Sequence, residues 1–288
     1  MKIIVVGGSG FLGSHVSDKL TEHGHNVIIY DQTESKWINS NQEMVLGSIN
    51  NLDSLIKTFK DADAVYNFAA ISDLNEALTR PIDTININIL GNANVLEACK
   101  INNVKRYIYS SSIYVQSREG GFYKCSKQAA ENYIEEYHHT YGLNYTILRF
   151  GSLYGPRSDH HNGLWRIVKK AIENNIIEYD GSSEAIREYI HVHDASRASV
   201  ESLTKEFENK HFVLTGHESL KVYDLLKMLG EILNIKSDIK FTNTIKNGHY
   251  ITTPYAYQPK IGLKYTSNFH TDLGQGLIEL ITEINNKI

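Results

Sequence analysis

An apolar, β-branched run, Ile3-Ile4-Val5-Val6, gives way at once to Gly7-Gly8-Ser9-Gly10-Phe11-Leu12-Gly13. That junction constrains the chain more than any other feature. Phe11, Leu12, Val16 and Leu20 fall on one helical face before Gly24, so the glycines form a tight turn between a strand and a helix. Glycine alone permits so sharp a turn with backbone close enough to touch a pyrophosphate, whose charge then meets the helix N-terminus. A glycine triplet in isolation is weak evidence. Here both Gly8-x-Gly10-x-x-Gly13 and Gly7-x-x-Gly10-x-x-Gly13 occur, and Asp31 closes the next apolar run roughly 20 residues on, as a dinucleotide fingerprint requires.

Taken alone, Asp31 is an exposed turn residue. Beside the glycines, its carboxylate would accept hydrogen bonds from adenosine ribose hydroxyls and repel a 2′-phosphate. Gln32 joins it as an expected cofactor contact, and Gln32, Thr33 and Glu34 offer no arginine to receive that phosphate. The expected cofactor is therefore NAD rather than NADP.

Apolar runs at Asn26 to Tyr30, Glu43 to Leu46, Ala64 to Phe68, Val104 to Tyr109 and Tyr145 to Phe150 alternate with helical patterns. Those helices are expected over Asn51 to Lys60, Ile89 to Asn102 and Phe122 to Tyr141. Strands alternating with helices imply an α/β, Rossmann-type, doubly wound parallel sheet. After Tyr154-Gly155-Pro156 the pattern loosens, with helices expected near Leu164 to Glu173, Ala195 to Thr204, Val222 to Leu233 and Leu273 to Asn286. The expected division is a dinucleotide-binding domain over 1–154 and a smaller C-terminal α/β substrate lobe over 155–288. Within the lobe, a segment near 186–198 is expected to pack back on the first domain.

Composition narrows the class of partner. With 29 basic against 33 acidic residues, the chain has no overall basic field to attract nucleic acid. Two cysteines, Cys99 and Cys125, are too few for a disulfide framework or a cysteine-rich zinc site. No apolar run approaches a membrane span, and the N-terminus lacks the features of a secretory signal, so a cytoplasmic location is expected.

Two Tyr-x-x-x-Lys pairs occur, Tyr123/Lys127 and Tyr223/Lys227, and each puts its members on one helix face. Tyr223/Lys227 sits in an ordinary amphipathic helix and is structural. Tyr123/Lys127 opens a helix soon after a strand that ends in Ser110-Ser111-Ser112, where a nicotinamide would lie. Oxidising an alcohol requires removal of its O–H proton as hydride leaves carbon. A free phenol titrates near 10, so positive charge from Lys127 and from an oxidised nicotinamide is expected to draw Tyr123 toward a useful general base. Ser112 would hydrogen-bond the substrate oxygen.

Taken together, these residues resemble the extended short-chain dehydrogenase/reductases, in particular the NAD-dependent nucleotide-sugar epimerase/dehydratase family. Besides the motifs above, the likeness rests on Phe68-Ala69-Ala70, on Asn88 with Gly91 and Leu96-Glu97-Ala98, on Leu148 through Arg157, and on Arg187-Glu188-Tyr189-Ile190-His191-Val192-His193-Asp194. It implies a homodimer packed through the Tyr123 helix and the helix before it. The resemblance further implies cofactor contacts at Gly7, Gly10, Phe11, Leu12, Gly13, Asp31, Gln32, Ser48, Ile49, Ala69, Ala70, Asn88, Ser110, Ser111, Tyr123, Lys127, Phe150 and Ser152. Ser112, Arg157 and Arg187 are implied substrate contacts, Arg187 through two charge-assisted bonds to a diphosphate. The implied activity is oxidation of a ring hydroxyl, at C4, of a UDP-, GDP- or CDP-linked hexose or heptose, by a 4-epimerase or 4-dehydrogenase of surface-polysaccharide synthesis. A 4-keto-sugar reductase and a non-catalytic NAD-binding regulator are the alternatives.

Some positions depart from the family pattern. Val115-Gln116-Ser117 replaces the usual Val-Tyr-Gly, the Ser112 to Tyr123 interval is short, and Ser48-Ile49 stands where an Asp commonly precedes an apolar residue beside the adenine. Ile113 and Tyr114 occupy the positions that carry an Asp-Glu pair in 4,6-dehydratases, which argues against dehydration. Cys125 is expected to pack rather than to abstract protons. No metal site is expected: His191-x-His193-Asp194 fits a strand entering a helix capped by Asp194, and adjacent histidines at 138–139 and 160–161 diverge. The Asn144-Tyr145-Thr146 sequon carries no meaning in a cytoplasmic strand.

Overall fold

The computed structural model describes residues 1–236, 238–242 and 249–254. In chain order its elements are β1 (Lys2–Val6), α1 (Phe11–Glu22), β2 (Asn26–Asp31), β3 (Gln42–Leu46), α2 (Leu52–Thr58), β4 (Ala64–Asn67), α3 (Leu74–Thr79) and α4 (Pro81–Thr84). A π-helical turn over Ile85–Gly91 leads into α5 (Asn92–Ile101), followed by β5 (Arg106–Ser112), α6 (Gly121–Tyr141), β6 (Tyr145–Phe150) and β7 (Ser152–Tyr154). The remainder comprises α7 (Gly163–Asn174), β8 (Glu178–Tyr179), β9 (Ile186–Arg187), β10 (Tyr189–His191), α8 (Val192–Glu201), β11 (Lys210–Leu214), β12 (Leu220–Lys221), α9 (Val222–Leu233) and β13 (Lys240–Phe241).

Seven strands form one sheet in the order β11-β6-β5-β4-β1-β2-β3, and every pairing in it is parallel. Parallel strands covered on both faces read as unbroken apolar runs. Successive side chains of β1 accordingly enter opposite cores. Ile4 and Val6 pack with Leu55, Val95, Leu96 and Ile134 on one side, while Ile3 and Val5 pack with Val16, Leu20, Val192 and Ala195 on the other. Between β1 and β4 the strand order reverses, opening a crevice at their carboxyl ends where such sheets bind ligands.

Beyond β6 the chain does not separate cleanly into a second layer. β10 pairs with β7, α8 packs on α1, and β11 joins the main sheet beside β6. A satellite core of Ala171, Ile177, Ala185, Val222 and Leu226 ties α7 to α9. The described residues belong to one compact unit spanning Met1–Tyr257, and the helix expected at Leu273 to Asn286 lies outside them.

Local chemistry moves several boundaries. β5 starts at Arg106 rather than Val104 and runs through Ser112, so the three serines form its carboxyl end as expected. The helix expected from Ile89 begins inside a widened π turn over Ile85–Gly91, and α5 itself starts at Asn92. Asp194 does not cap α8. The His191 side chain does so by accepting from the His193 backbone N–H, while Asp194 sits in the first turn, where its carboxylate suits the helix dipole, and pairs with Arg197. No described helix is long and apolar enough to cross a membrane.

Candidate active site

The glycine turn is built by close approach. Gly7 has φ +76°, and a Cβ there would lie 2.5 Å from the Ala69 nitrogen; one on Gly13 would lie 2.2 Å from the Gly7 carbonyl oxygen. Those two positions admit no side chain without moving backbone. At Gly10 a Cβ would meet only the Gly7 oxygen, at 3.4 Å, so that side of the turn is open, and no side chain caps the N-terminus of α1 there. An open cradle in front of unoccupied N–H donors is what a pyrophosphate needs. The chain's residues thus fit a dinucleotide.

Asp31 is held at the edge of this cradle. Its Oδ2 accepts from the Ser9 N–H at 3.1 Å, and its Oδ1 accepts from the Thr33 N–H and hydroxyl. Gln32 follows it, exposed. On the neighbouring strand end, Ile49 packs against Gly91 and its carbonyl accepts from Asn94 at 3.2 Å, while the Ser48 carbonyl accepts from the Tyr30 hydroxyl. Ala69 and Ala70 form the turn after β4, with the Ala69 N–H held by Asn67. Asn88, on the π turn, takes both backbone groups of Ile71 with its amide and donates to the Ser126 hydroxyl at 2.9 Å. Ser126 in turn donates to the Tyr123 carbonyl. This chain of bonds ties the cofactor-side turn to the helix that carries Tyr123.

At the carboxyl end of β5, the structure brings Ser112, Tyr123 and Lys127 together. Ser112 Oγ caps the following turn by accepting from the Tyr114 N–H. Lys127 is buried, donates from Nζ to the Ser110 carbonyl at 2.6 Å, and lies 4.6 Å from the Tyr109 ring centre and 5.8 Å from that of Tyr123. Tyr123 itself is half-buried. Desolvation of its hydroxyl pushes the pKa up to about 12, against a hydrogen bond with Ser112 that pulls the other way. Desolvation likewise brings Lys127 down to about 7, with the Glu131 carboxylate opposing. The sequence leads one to expect a phenol drawn down by its lysine; in the protein alone burial raises it, and the opposing pull comes from Ser112 rather than from the Lys127 charge. A cationic nicotinamide is the remaining contributor that can lower it.

Ser111 departs from its expected role. Its hydroxyl is buried and turned to the Glu131 carboxylate, at 2.5 Å. Phe150 is buried, and the Ser152 side chain opposes the rise that burial imposes on the Tyr250 phenol. Arg187, 6% exposed, donates to the Ile186 and Ile251 carbonyls and stacks its guanidinium 4.4 Å from the Tyr250 ring centre. Tyr250 in turn lies 4.8 Å from Tyr114, centre to centre, and Tyr114 meets Tyr123 edge-on at 6.3 Å. An aromatic wall therefore connects Arg187 to the phenol. Tyr114 and Tyr250 escape a reading of the sequence alone: the first stands out there only as a missing acid, and the second sits in an irregular segment with no motif around it.

Arg157, expected in the substrate pocket, is engaged elsewhere. Its guanidinium pairs with Asp18 on α1 at 2.7 Å and stacks on Trp37 at 4.7 Å. The reason is its left-handed backbone, φ +66°, in the turn next to Pro156, whose carbonyl contacts His15. Among the histidines, His191 and His193 lie ring to ring at 4.7 Å. Asp159, His160 and His161 are the one group among the described residues with ligand atoms within metal-binding reach of one another, all exposed; the His160 and His161 rings, expected to diverge, sit in a turn rather than a helix and lie 4.0 Å apart, centre to centre.

Comparison with known proteins places this geometry. The model of the NAD-dependent epimerase/dehydratase family matches residues 3–215. Protein CapI of Staphylococcus aureus is 30% identical over 69% of this chain and 68% of its own length. The CDP-paratose 2-epimerase of Salmonella typhi is 27% identical over 84% and 87%. Among solved structures, the UDP-glucose 4-epimerase of Thermotoga maritima, crystallised with UDP-glucose, superposes with a TM-score of 0.81 at 28% identity, covering 89% of this chain and 90% of that one. With an NAD cradle, a Tyr-x-x-x-Lys pair and a family match over most of its length, the chain belongs to the NAD-dependent epimerase/dehydratase family of extended short-chain dehydrogenase/reductases.

Proposed function

We propose that this enzyme is a nucleotide-sugar 4-epimerase that oxidises and re-reduces the C4 hydroxyl of a UDP-linked hexose. The observation that carries the proposal is the convergence of Ser112, Tyr123 and Lys127 at the strand ends beside the glycine cradle. Kinship with the Thermotoga maritima enzyme supports C4 and UDP as the first choices. The same residues would serve a 4-dehydrogenase if the ketone left, and a role in surface-polysaccharide synthesis would suit either product.

NAD, when bound, supplies the hydride acceptor and donor. The chain's own residues do the rest. The turn over Gly7 to Gly13 holds the pyrophosphate, and Asp31 accepts from the adenosine ribose. Ser112 donates a hydrogen bond to the sugar oxygen, and the Tyr123 phenolate, kept ionised by the Lys127 ammonium, removes the sugar's proton and becomes the neutral phenol. Arg187, backed by Tyr250, binds the diphosphate through the face its carbonyl partners leave free. Residues 1–154 would form the cofactor domain, and the satellite layer around α7 and α9 the substrate lobe.

The test is a panel of UDP-, GDP- and CDP-sugars incubated with the protein and followed by proton NMR. Inversion at C4 of a UDP-hexose is the expected result, and no turnover of any sugar would overturn the proposal.

We also propose a homodimer formed through α6 and the helices before it. Leu78, Ile82, Ile85 and Leu90 lie 48–67% exposed on that stretch, with Phe122 and Tyr133 on α6 near half exposed. So many large apolar side chains on consecutive helices suit burial against a second copy. Light scattering should give about twice the 32.7 kDa of one chain; a monomer would count against the arrangement.

A further inference from the structure

Lys127 is a buried cation whose nearest described contacts are a carbonyl and two aromatic rings. The Ser110 oxygen takes one N–H bond, Tyr109 on β5 faces the ammonium, and Tyr123 lies on its own helix. One helical turn further along α6 stands Glu131, 5% exposed, on the same face as Lys127. Glu131 is fixed from two strands at once. Ser111 on β5 donates to Oε1, and Arg149 on β6 donates to both oxygens, from Nε at 3.0 Å and from Nη2 at 2.7 Å. Such a bidentate pair is rigid as well as charged.

Behind Arg149 the charges continue. His211 on β11 pairs with Glu135 at 3.0 Å and feels both Glu131 and Arg149, and burial lowers its pKa. Tyr145 on β6 packs against His211. Among the described residues, the groups around this face are Tyr109 and Ser111 from β5, Arg149 and Tyr145 from β6, His211 from β11, and Lys127, Glu131 and Glu135 from α6.

We propose that Glu131 is a positioning residue for the proton transfer, holding the serine strand end through Ser111 and supplying the negative field that keeps the Lys127 ammonium charged. This deepens the reading of Tyr123 and Lys127 as the reacting pair. Glu131 is the carboxylate whose charge opposes the desolvation of Lys127. Its removal also leaves the Arg149 cation without its carboxylate partner. The i, i+4 spacing makes the two side chains neighbours on α6, and an opposite charge at such range moves a pKa by about one to three, so the swing should be readable directly.

The experiment is a pH titration of Lys127 in protein labelled with ¹³C at lysine Cε, its resonance assigned by its absence in Lys127→Met. It is run on the NAD complex and on protein stripped of cofactor. In Glu131→Gln the midpoint should fall by about one pH unit or more, and in Glu131→Asp it should move back toward the parent value. The alkaline limb of the NMR-followed epimerisation of UDP-glucose should shift down in step. An unchanged midpoint in a Glu131→Gln protein with a native circular dichroism spectrum would overturn the proposal. So would an equal fall in Glu131→Asp, since loss of packing rather than of charge would then be the cause. Should Glu131→Gln fail to fold, Ser111→Ala decides: it frees the carboxylate from one anchor and should move the Lys127 midpoint detectably, and no movement would overturn the idea. Because the titration needs no substrate, it stands apart from the identity of the sugar.

Discussion

Tyr123→Phe is expected to lower turnover of the sugar nucleotide by about 10²–10⁴-fold, the usual range for removing a general acid–base group, while NAD binding measured by calorimetry stays nearly unchanged. The substitution deletes one oxygen from a half-buried ring whose packing against Tyr114 is edge-on, so the pocket keeps its shape. What disappears is the group that carries the proton between the sugar oxygen and the protein. An enzyme in which Tyr123→Phe turned over at the parent rate would be one in which the phenol is only a wall residue, and the family fold would then be serving as a cofactor-binding module.

The second large effect concerns stability. In the cofactor-free protein Lys127→Met should be markedly more stable near neutral pH, and inactive. Burial brings the folded-state pKa of Lys127 to about 7, whereas an unfolded lysine titrates near 10.4. Between those values the unfolded chain binds the extra proton, so the Lys127 contribution to stability rises with pH across that window. At lower pH both states are protonated and the full penalty of a buried cation applies. Each pH unit separating the folded and unfolded midpoints corresponds to about 1.4 kcal/mol, so the two proteins differ by several kcal/mol at pH 6 and by less as pH rises toward 9. Urea denaturation of both proteins at a series of pH values measures it. The comparison isolates Lys127 from the buried thiol of Cys99 and the buried phenols, whose raised pKa values cost stability only at higher pH. A difference that does not vary with pH would mean that Lys127 is charged throughout, and the burial argument would fail.

Much of this could be read from the chain itself because the signals are local. The glycine turn, Asp31 and the strand–helix alternation are written in spacing and punctuation, and Tyr145 to Phe150 even has the strand bounds found in the structure. Tyr-x-x-x-Lys is ambiguous by spacing and becomes informative only through the serines that precede it. The rest depends on residues distant in sequence. Tyr250 reaches Arg187, and Arg149 reaches Glu131, through the fold rather than through any pattern. Arg157 shows the opposite hazard: a motif position implied a ligand contact, while a left-handed backbone and a neighbouring Asp18 committed the side chain to α1. Glu131 does carry a signal, an acid one turn beyond the lysine, but its meaning requires the two strands that hold it.

The π turn before α5 has an evolutionary corollary. A helix widened over Ile85–Gly91 contains in effect one surplus residue relative to a regular helix. A lineage that lost a single codon there would still fold a good helix, yet every residue upstream would be rotated by about 100° relative to α5. Asn88 lies inside that turn, so the amide that grips Ile71 and Ser126 survives only while the surplus is inherited. Alignment gaps falling in this stretch among relatives would thus mark lineages that had found another way to brace the catalytic helix.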